Sequence, residues 1–187
     1  MNSSKRARPG RVRIIGGEYR GRRIAVPERA DLRPTPDRVR ETLFNWLGQR
    51  LDGAHCLDLY AGSGVLGFEA ASRGAARVVL VEKDRAALEG LRRAREALGA
   101  AATQIVAADA DAYLAQDGER FDLVFLDPPF RQNADASLLE RLVPRLQSAA
   151  RVYLESAQPA SVQPPWRELK RSRAGQVSFQ LLAWEPA

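Results

Sequence analysis

Apolar positions follow two rhythms along the chain. From residue 55 to residue 154, short apolar runs alternate with segments whose apolar residues recur every three or four positions. That pattern predicts strands at 55–60, 77–82, 103–107, 121–126 and 150–154, with helices at 64–72, 84–98, 110–115 and 135–146 between them. Val78-Val79-Leu80-Val81 and Leu123-Val124-Phe125-Leu126 are apolar without interruption, as expected of strands covered on both faces of a parallel sheet. Two further strands are expected at Trp166–Lys170 and Val177–Trp184, joined at Ala174-Gly175-Gln176. Ahead of this regular region, Val12, Ile14, Ile24 and Val26 alternate with Arg13, Arg23 and Ala25 around a Gly16-to-Gly21 centre, which predicts a β-hairpin with one basic face. Leu32 to Pro36 reads as an extended linker, because each proline biases its predecessor away from the helix. Thr35 is then expected to cap a helix carrying Val39, Leu43, Phe44, Trp46 and Leu47 on one face. The organisation that follows is a basic extension at 1–50, made of a disordered tail, a hairpin and a helix, and an α/β domain at 51–187.

Composition sharpens this picture in one respect. The first 40 residues hold twelve Lys/Arg against four Asp/Glu, a net of +8, so the remaining 147 residues of the 187 carry a net of −2 within the overall +6. A near-neutral body with a basic arm suits a phosphate-backbone partner. Arg13, Arg20 and Arg22 on the hairpin, with Arg33, Thr35, Arg38 and Arg40 beside the rigid linker, are the candidate contacts; a solvated face is the alternative. No apolar run reaches the ~20 residues of a membrane span. A single Cys56 and a single His55 supply neither a disulfide framework nor a zinc ligand set. A cytoplasmic monomer without membrane or metal partners is expected.

The chemistry is expected at strand ends. Leu57-Asp58-Leu59-Tyr60-Ala61-Gly62-Ser63-Gly64-Val65-Leu66-Gly67 is a strand that empties into a glycine-rich turn and opens a helix, which is the pattern of a nucleotide loop. Gly62 and Gly64 permit close backbone approach, and Glu82, twenty residues past Gly62, is placed to accept ribose hydroxyls. Asp109 can accept an exocyclic adenine amine while Ala110 offers its backbone N–H; Asp58 either orients the loop or meets an α-amino group. This fingerprint alone fits NAD as well as S-adenosylmethionine. Asp127-Pro128-Pro129-Phe130 separates them. The two prolines fix the backbone as it leaves the sheet, the Asp127 carboxylate and Pro128 carbonyl offer two acceptors to a planar amine, and Phe130 can stack on the attached base. Acceptors that draw an amine toward tetrahedral geometry assist its attack on a sulfonium methyl, whereas hydride transfer needs none of this.

These residues carry a resemblance. Arg13-Ile14-Ile15-Gly16-Gly17 with Tyr19-Arg20-Gly21-Arg22, Arg33-Pro34-Thr35 through Leu47, the Asp58-to-Gly67 loop and Asp127-Pro128-Pro129-Phe130 together resemble class I S-adenosylmethionine-dependent methyltransferases. More narrowly, they resemble the bacterial 16S ribosomal RNA guanine-N2 methyltransferase family called RsmD. The resemblance implies a Rossmann-like, seven-stranded, mostly parallel sheet with the final strand antiparallel. It also implies S-adenosylmethionine as cofactor, held by Gly62, Glu82 and Asp109, and 16S ribosomal RNA or the small ribosomal subunit as partner, with the target guanine received by Asp127 to Phe130. It lapses around Arg173-Ala174-Gly175-Gln176-Val177 and Phe179, where no role is carried over. Alternative readings are an adenine-N6 or protein amide methyltransferase, an NAD-dependent dehydrogenase and a catalytically silent RNA-binding module.

Overall fold

The computed structural model describes residues 10–26, 35–128 and 136–186. The expected disordered tail, most of the linker, and Pro129 and Phe130 lie outside these residues.

The hairpin forms as β1 (Arg11–Arg13) and β2 (Arg23–Ala25), with Val12 paired to Ile24 and Arg13 to Arg23. Alternation turns Val12 and Ile24 inward and the arginines outward, as the sequence pattern predicts. Its Gly16-Gly17 turn docks on a helix from the body, α2 (Val65–Ser72), where the Glu18 N–H donates to the Ser72 carbonyl at 2.7 Å. Gly17 has φ 73°, and a Cβ there would lie 1.8 Å from that carbonyl oxygen, so only glycine fits.

Helix α1 (Asp37–Leu47) buries Val39, Leu43, Phe44 and Leu47 and stops at Gly48 in the left-handed conformation. Its cap departs from expectation. Pro36 occupies the N-cap and makes no side-chain cap bond, while Thr35 is buried and turned elsewhere. Pro36 suffices because its ring presets φ at −58° and its carbonyl accepts from the Val39 and Arg40 N–H groups.

The body is a seven-stranded sheet built from β3 (His55–Asp58), β4 (Arg77–Glu82), β5 (Thr103–Ala107), β6 (Phe121–Leu126), β7 (Leu146–Ser156), β8 (Trp166–Ala174) and β9 (Val177–Trp184). Their spatial order is β5-β4-β3-β6-β7-β9-β8. Strands β5 to β7 on that order are mutually parallel, and β9 enters antiparallel between β7 and β8, so the last strand alone reverses direction. The chain winds outward from β3 to β5, then returns to start again at β6. The switch point therefore falls between β3 and β6, where an open α/β sheet leaves a crevice beyond its carboxyl ends.

Alternate side chains feed two cores. Cys56, Val78, Leu80, Leu123, Phe125 and Tyr153 pack with the hairpin, α1 and α2. Leu57, Val79, Val81, Val124, Leu126, Val152 and Leu154 pack on the other face with α4 (Ala110–Leu114) and α5 (Ala136–Leu142). The remaining helix, α3 (Arg85–Leu98), is capped by Asp84 accepting from the Ala87 N–H and ends at Gly99. The expected helix at 135–146 is shorter in the structure: Pro144 removes an N–H and crowds the preceding turn, so α5 gives way to a 3-10 turn at Val143–Arg145 and β7 begins early, at Leu146.

One buried carboxylate ties the extension to the body. Glu69 on α2 is fully buried and accepts five hydrogen bonds: from the Ile15 and Gly16 N–H groups at 2.9 and 2.8 Å, from Arg40 at 3.1 Å, and from Arg73 Nε and Nη2 at 3.0 and 2.9 Å. Arg40, expected from sequence among the RNA contacts, is instead fully buried here, bridging Glu69 and Asp37. Arg73 completes the network by lying over the Phe44 ring, 4.4 Å from its centroid.

Candidate functional site

The loop after β3 is positioned by its neighbours. The Leu59 N–H donates to the Phe125 carbonyl at 3.2 Å and the Ala61 N–H to the Val81 carbonyl at 2.9 Å, so the turn starts pinned between β6 and β4. The Gly64 N–H then closes on the Ala61 carbonyl at 2.6 Å, with Gly62 and Gly64 both at positive φ (53° and 77°). Gly67 lets α2 lie close to the sheet, because a Cβ there would come within 2.2 Å of Leu80.

Sheet pleating sets the acids in a row. Asp58, Glu82 and Asp127 follow Cys56, Leu80 and Phe125 by two residues on three adjacent strands, so all three stand on the face that carries α1 and α2. Glu155 follows Tyr153 in the same way on β7, beside Asp127, since Phe125 pairs with Tyr153 and Leu126 with Leu154. Four carboxyl groups thus cross the switch point in the order Glu82, Asp58, Asp127, Glu155.

Each acid has its own surroundings. Glu82 Oε2 accepts from the Gly62 N–H at 2.9 Å, while Oε1 accepts from the Lys83 and Asp84 N–H groups at 2.8 Å. Oε1 is filled by its two donors, and Oε2 keeps one lone pair for an incoming hydroxyl. Asp58 is buried, and its Oδ2 accepts from the Gly67 N–H at 3.1 Å, which gives it the loop-orienting role. Burial pushes its carboxyl up from the ordinary 3.8 to about 7, against the pull of that hydrogen bond and with help from Glu82. Asp127 is raised well above the carboxylate range, first by desolvation and then by the charges of Glu155 and Asp58. Glu155 is raised too, chiefly by desolvation. The Tyr153 hydroxyl donates to Glu155 Oε1 at 2.7 Å, and the Thr35 hydroxyl reaches Asp127 Oδ2 at a long 3.5 Å; both hydroxyls work against the rise at Glu155. Pro128 is buried directly after Asp127.

Asp109 is an exposed helix cap. Its Oδ1 accepts from the Asp111 N–H at 3.0 Å and its Oδ2 from Lys83 Nζ at 2.9 Å, and these two donors hold its carboxyl below the usual range. Ala110, at the start of α4, is buried beside it.

The basic candidates divide. Arg11, Arg20, Arg23 and Arg38 are exposed, and Arg13 is exposed with Asp37 as its partner at 3.2 Å. Arg22 is exposed as well, and it donates to the Leu98 carbonyl at 2.8 Å and to that of Ala97, so it closes the end of α3. Arg33 lies outside the described residues. A cavity of about 760 Å³ lined by Gly17, Arg20, Asn45, Gln49, Arg50 and Asp52 contains none of the sheet-end acids. Among the described residues no grouping of three His, Cys, Asp or Glu side chains fits a metal ion, and no helix is long and apolar enough to cross a membrane.

Sequence reading missed Glu155 and Tyr153, because the strand was expected to end at residue 154. The signal was there: Tyr153-Leu154-Glu155 repeats the apolar-apolar-acid ending of Phe125-Leu126-Asp127.

A sheet with this strand order, a glycine turn at the switch point and acids closing adjacent strands defines the class I methyltransferase fold. The family model for Conserved hypothetical protein 95 matches residues 12–183. The chain is 42% identical over 190 residues to ribosomal RNA small subunit methyltransferase D of Escherichia coli K12, covering 97% of this chain and 94% of that protein. Among solved structures it is similar to a putative methyltransferase from E. coli, with TM-score 0.85 and 41% identity over 94% of this chain and 99% of that one. It is also similar to a Thermus thermophilus 16S rRNA N2 guanine methyltransferase in complex with AdoMet and guanosine, with TM-score 0.68 and 26% identity over 96% of this chain and 50% of that one. The chain therefore belongs to the Conserved hypothetical protein 95 family, the family of ribosomal RNA small subunit methyltransferase D.

Proposed function

We propose that this protein transfers a methyl group from S-adenosylmethionine to the exocyclic N2 amine of a guanine in 16S ribosomal RNA. The observation that carries the reading is the row of four carboxyl groups closed by the rigid Asp127-Pro128 corner. A row of acids suits a ligand bearing a sulfonium and an ammonium, and repels the doubly anionic pyrophosphate of NAD. Relatives named for ribosomal RNA small subunit methylation, and a neighbour solved with AdoMet and guanosine, support the same choice.

In this reading Gly62, Gly64 and Ala61 form the backbone cradle, Glu82 accepts a ribose hydroxyl, Asp58 holds the turn in shape, and Asp109 with Ala110 faces the adenine. When bound, S-adenosylmethionine supplies an electrophilic methyl whose sulfur keeps the bonding pair and leaves as a thioether. Asp127 and the Pro128 carbonyl accept the two hydrogens of the guanine amine and turn its lone pair toward the methyl. The new N–C bond leaves the nitrogen with an excess proton, and Asp127, made basic by desolvation, accepts it. Pro129 and Phe130 complete the base pocket, with Phe130 stacking on a guanine drawn out of its helix.

The RNA backbone is held by the exposed hairpin face. Arg13 and Arg23 stand directly opposite each other there, a like-charge pair that a polyanion would relieve. Arg11, Arg20 and Arg38 extend the patch. Calorimetry with S-adenosylmethionine and with NAD, followed by labelled-methyl transfer to small ribosomal subunits and to DNA, tests the proposal. Binding of NAD alone, or methyl transfer to DNA alone, would overturn it.

A further inference from the structure

We infer that Glu155 is the residue that makes the base pocket choose guanine over adenine, by accepting the ring N–H that lies next to the exocyclic amine of guanine. The inference rests on the proposed reading of the site and assigns it a specificity residue.

An acceptor for the amine alone, such as Asp127, does not discriminate, since adenine also carries an exocyclic amine. The neighbouring ring atom does. In guanine the nitrogen beside the amino carbon bears a hydrogen and donates, whereas in adenine the ring nitrogen in that place presents a lone pair. A site for guanine therefore needs two acceptors side by side. The β6–β7 register supplies them: Leu126 pairs with Leu154, so the next residues, Asp127 and Glu155, leave neighbouring strands at one level and on one face.

The orientation of Glu155 is fixed independently of Asp127. Tyr153, buried two residues earlier on the same face, donates its hydroxyl to Oε1 at 2.7 Å and leaves Oε2 for another donor. Thr35 brings a single hydroxyl proton to the pair, reaching Asp127 Oδ2 at 3.5 Å and helping to hold Glu155 down against its desolvation. Two carboxyl groups with one such proton between them are short of donors, and the guanine edge offers two adjacent N–H groups. Adenine would set its ring lone pair against Glu155. Desolvation raises both carboxyls, and at Asp127 the charges of Glu155 and Asp58 add to it. The arrangement also gives Thr35 a purpose that helix capping does not: it braces the two acceptors.

The test uses the full-length protein and 16S ribosomal RNA whose methylated guanine is replaced by 2-aminopurine, naked and assembled into small subunits. 2-Aminopurine keeps the amine but presents a ring lone pair in place of the ring N–H. The wild-type protein should methylate guanine and neglect 2-aminopurine. Glu155→Gln, which retains an oxygen for Tyr153 and gains an N–H₂ donor, should lower kcat/KM on guanine roughly 10- to 100-fold. The same variant should raise turnover of 2-aminopurine relative to guanine, with S-adenosylmethionine affinity unchanged. Tyr153→Phe should weaken guanine preference in the same direction but less. A wild-type enzyme that methylates both bases equally, or a Glu155→Gln variant with an unchanged ratio, would overturn the inference and leave the methyltransferase reading standing. Failure of the wild type on guanine itself would remove both.

Discussion

Two carboxylates at adjacent strand ends do different work because their surroundings differ. Asp127, which the proposed function sets against the substrate amine, has a carboxyl raised by desolvation, while Asp58 spends one oxygen on the Gly67 N–H. Asp127→Asn keeps the size of the side chain but exchanges an acceptor for a donor. It should lower kcat by roughly 10²- to 10³-fold with little change in S-adenosylmethionine affinity, as read by single-turnover kinetics and calorimetry. Asp58 gives a stability signature. Its folded carboxyl, near 7, holds a proton that the unfolded chain releases near 3.8, so the native state binds more protons between those values. Stability contributed by Asp58 is therefore present at low pH and lost as pH rises through that window. Asp58→Asn should flatten the decline in melting temperature between about pH 4 and about pH 7, and an unaltered slope would contradict this account of its burial. The loop, Glu82 and the Asp127 corner were legible in sequence because glycine and proline mark turns and an acid after an apolar run stands out. Glu155 was hidden because a strand boundary two residues too early removed it from view.

At the scale of elements, the alternation of apolar runs gave every strand and helix of the body, and the misreadings have local causes. Pro144 ends α5 early, and Thr35 leaves the capping of α1 to Pro36 because its hydroxyl is turned to the acids. The Glu69 network could not be read at all, since its partners come from residues 15, 16, 40 and 73 and only the fold assembles them. That network is the joint between the hairpin, α1 and α2. Glu69→Ala leaves two buried guanidinium groups without their anion and should cost about 3–5 kcal/mol in denaturant unfolding, far more than breaking an exposed pair such as Arg50–Asp52. Equal costs would show that the joint is not buried as described.

For the whole molecule, the charge asymmetry read from composition becomes a surface: the hairpin turns its arginines outward and buries its apolar side in the same core as the sheet that carries the acids. The structure buries Arg40 against Glu69, ties the exposed Arg22 to the end of α3, and leaves Arg11, Arg13, Arg20, Arg23 and Arg38 exposed. Replacing Arg11, Arg20, Arg23 and Arg38 together with Gln should weaken RNA binding and reduce the slope of log affinity against log salt by roughly 3. Replacing Arg22 should instead lower stability and spare that slope. Under the proposed function the acids meet a cationic methyl donor and the arginines a polyanion, and the shared core holds both on one frame.

The most direct measurement is nucleoside mass analysis of 16S ribosomal RNA, free and in small subunits, after incubation of unmethylated material with the purified protein and S-adenosylmethionine. The account predicts N2-methylguanosine at a single position and none with Asp127→Asn on the same timescale. Methylated adenosine, or no methylated nucleoside in either substrate, would contradict it.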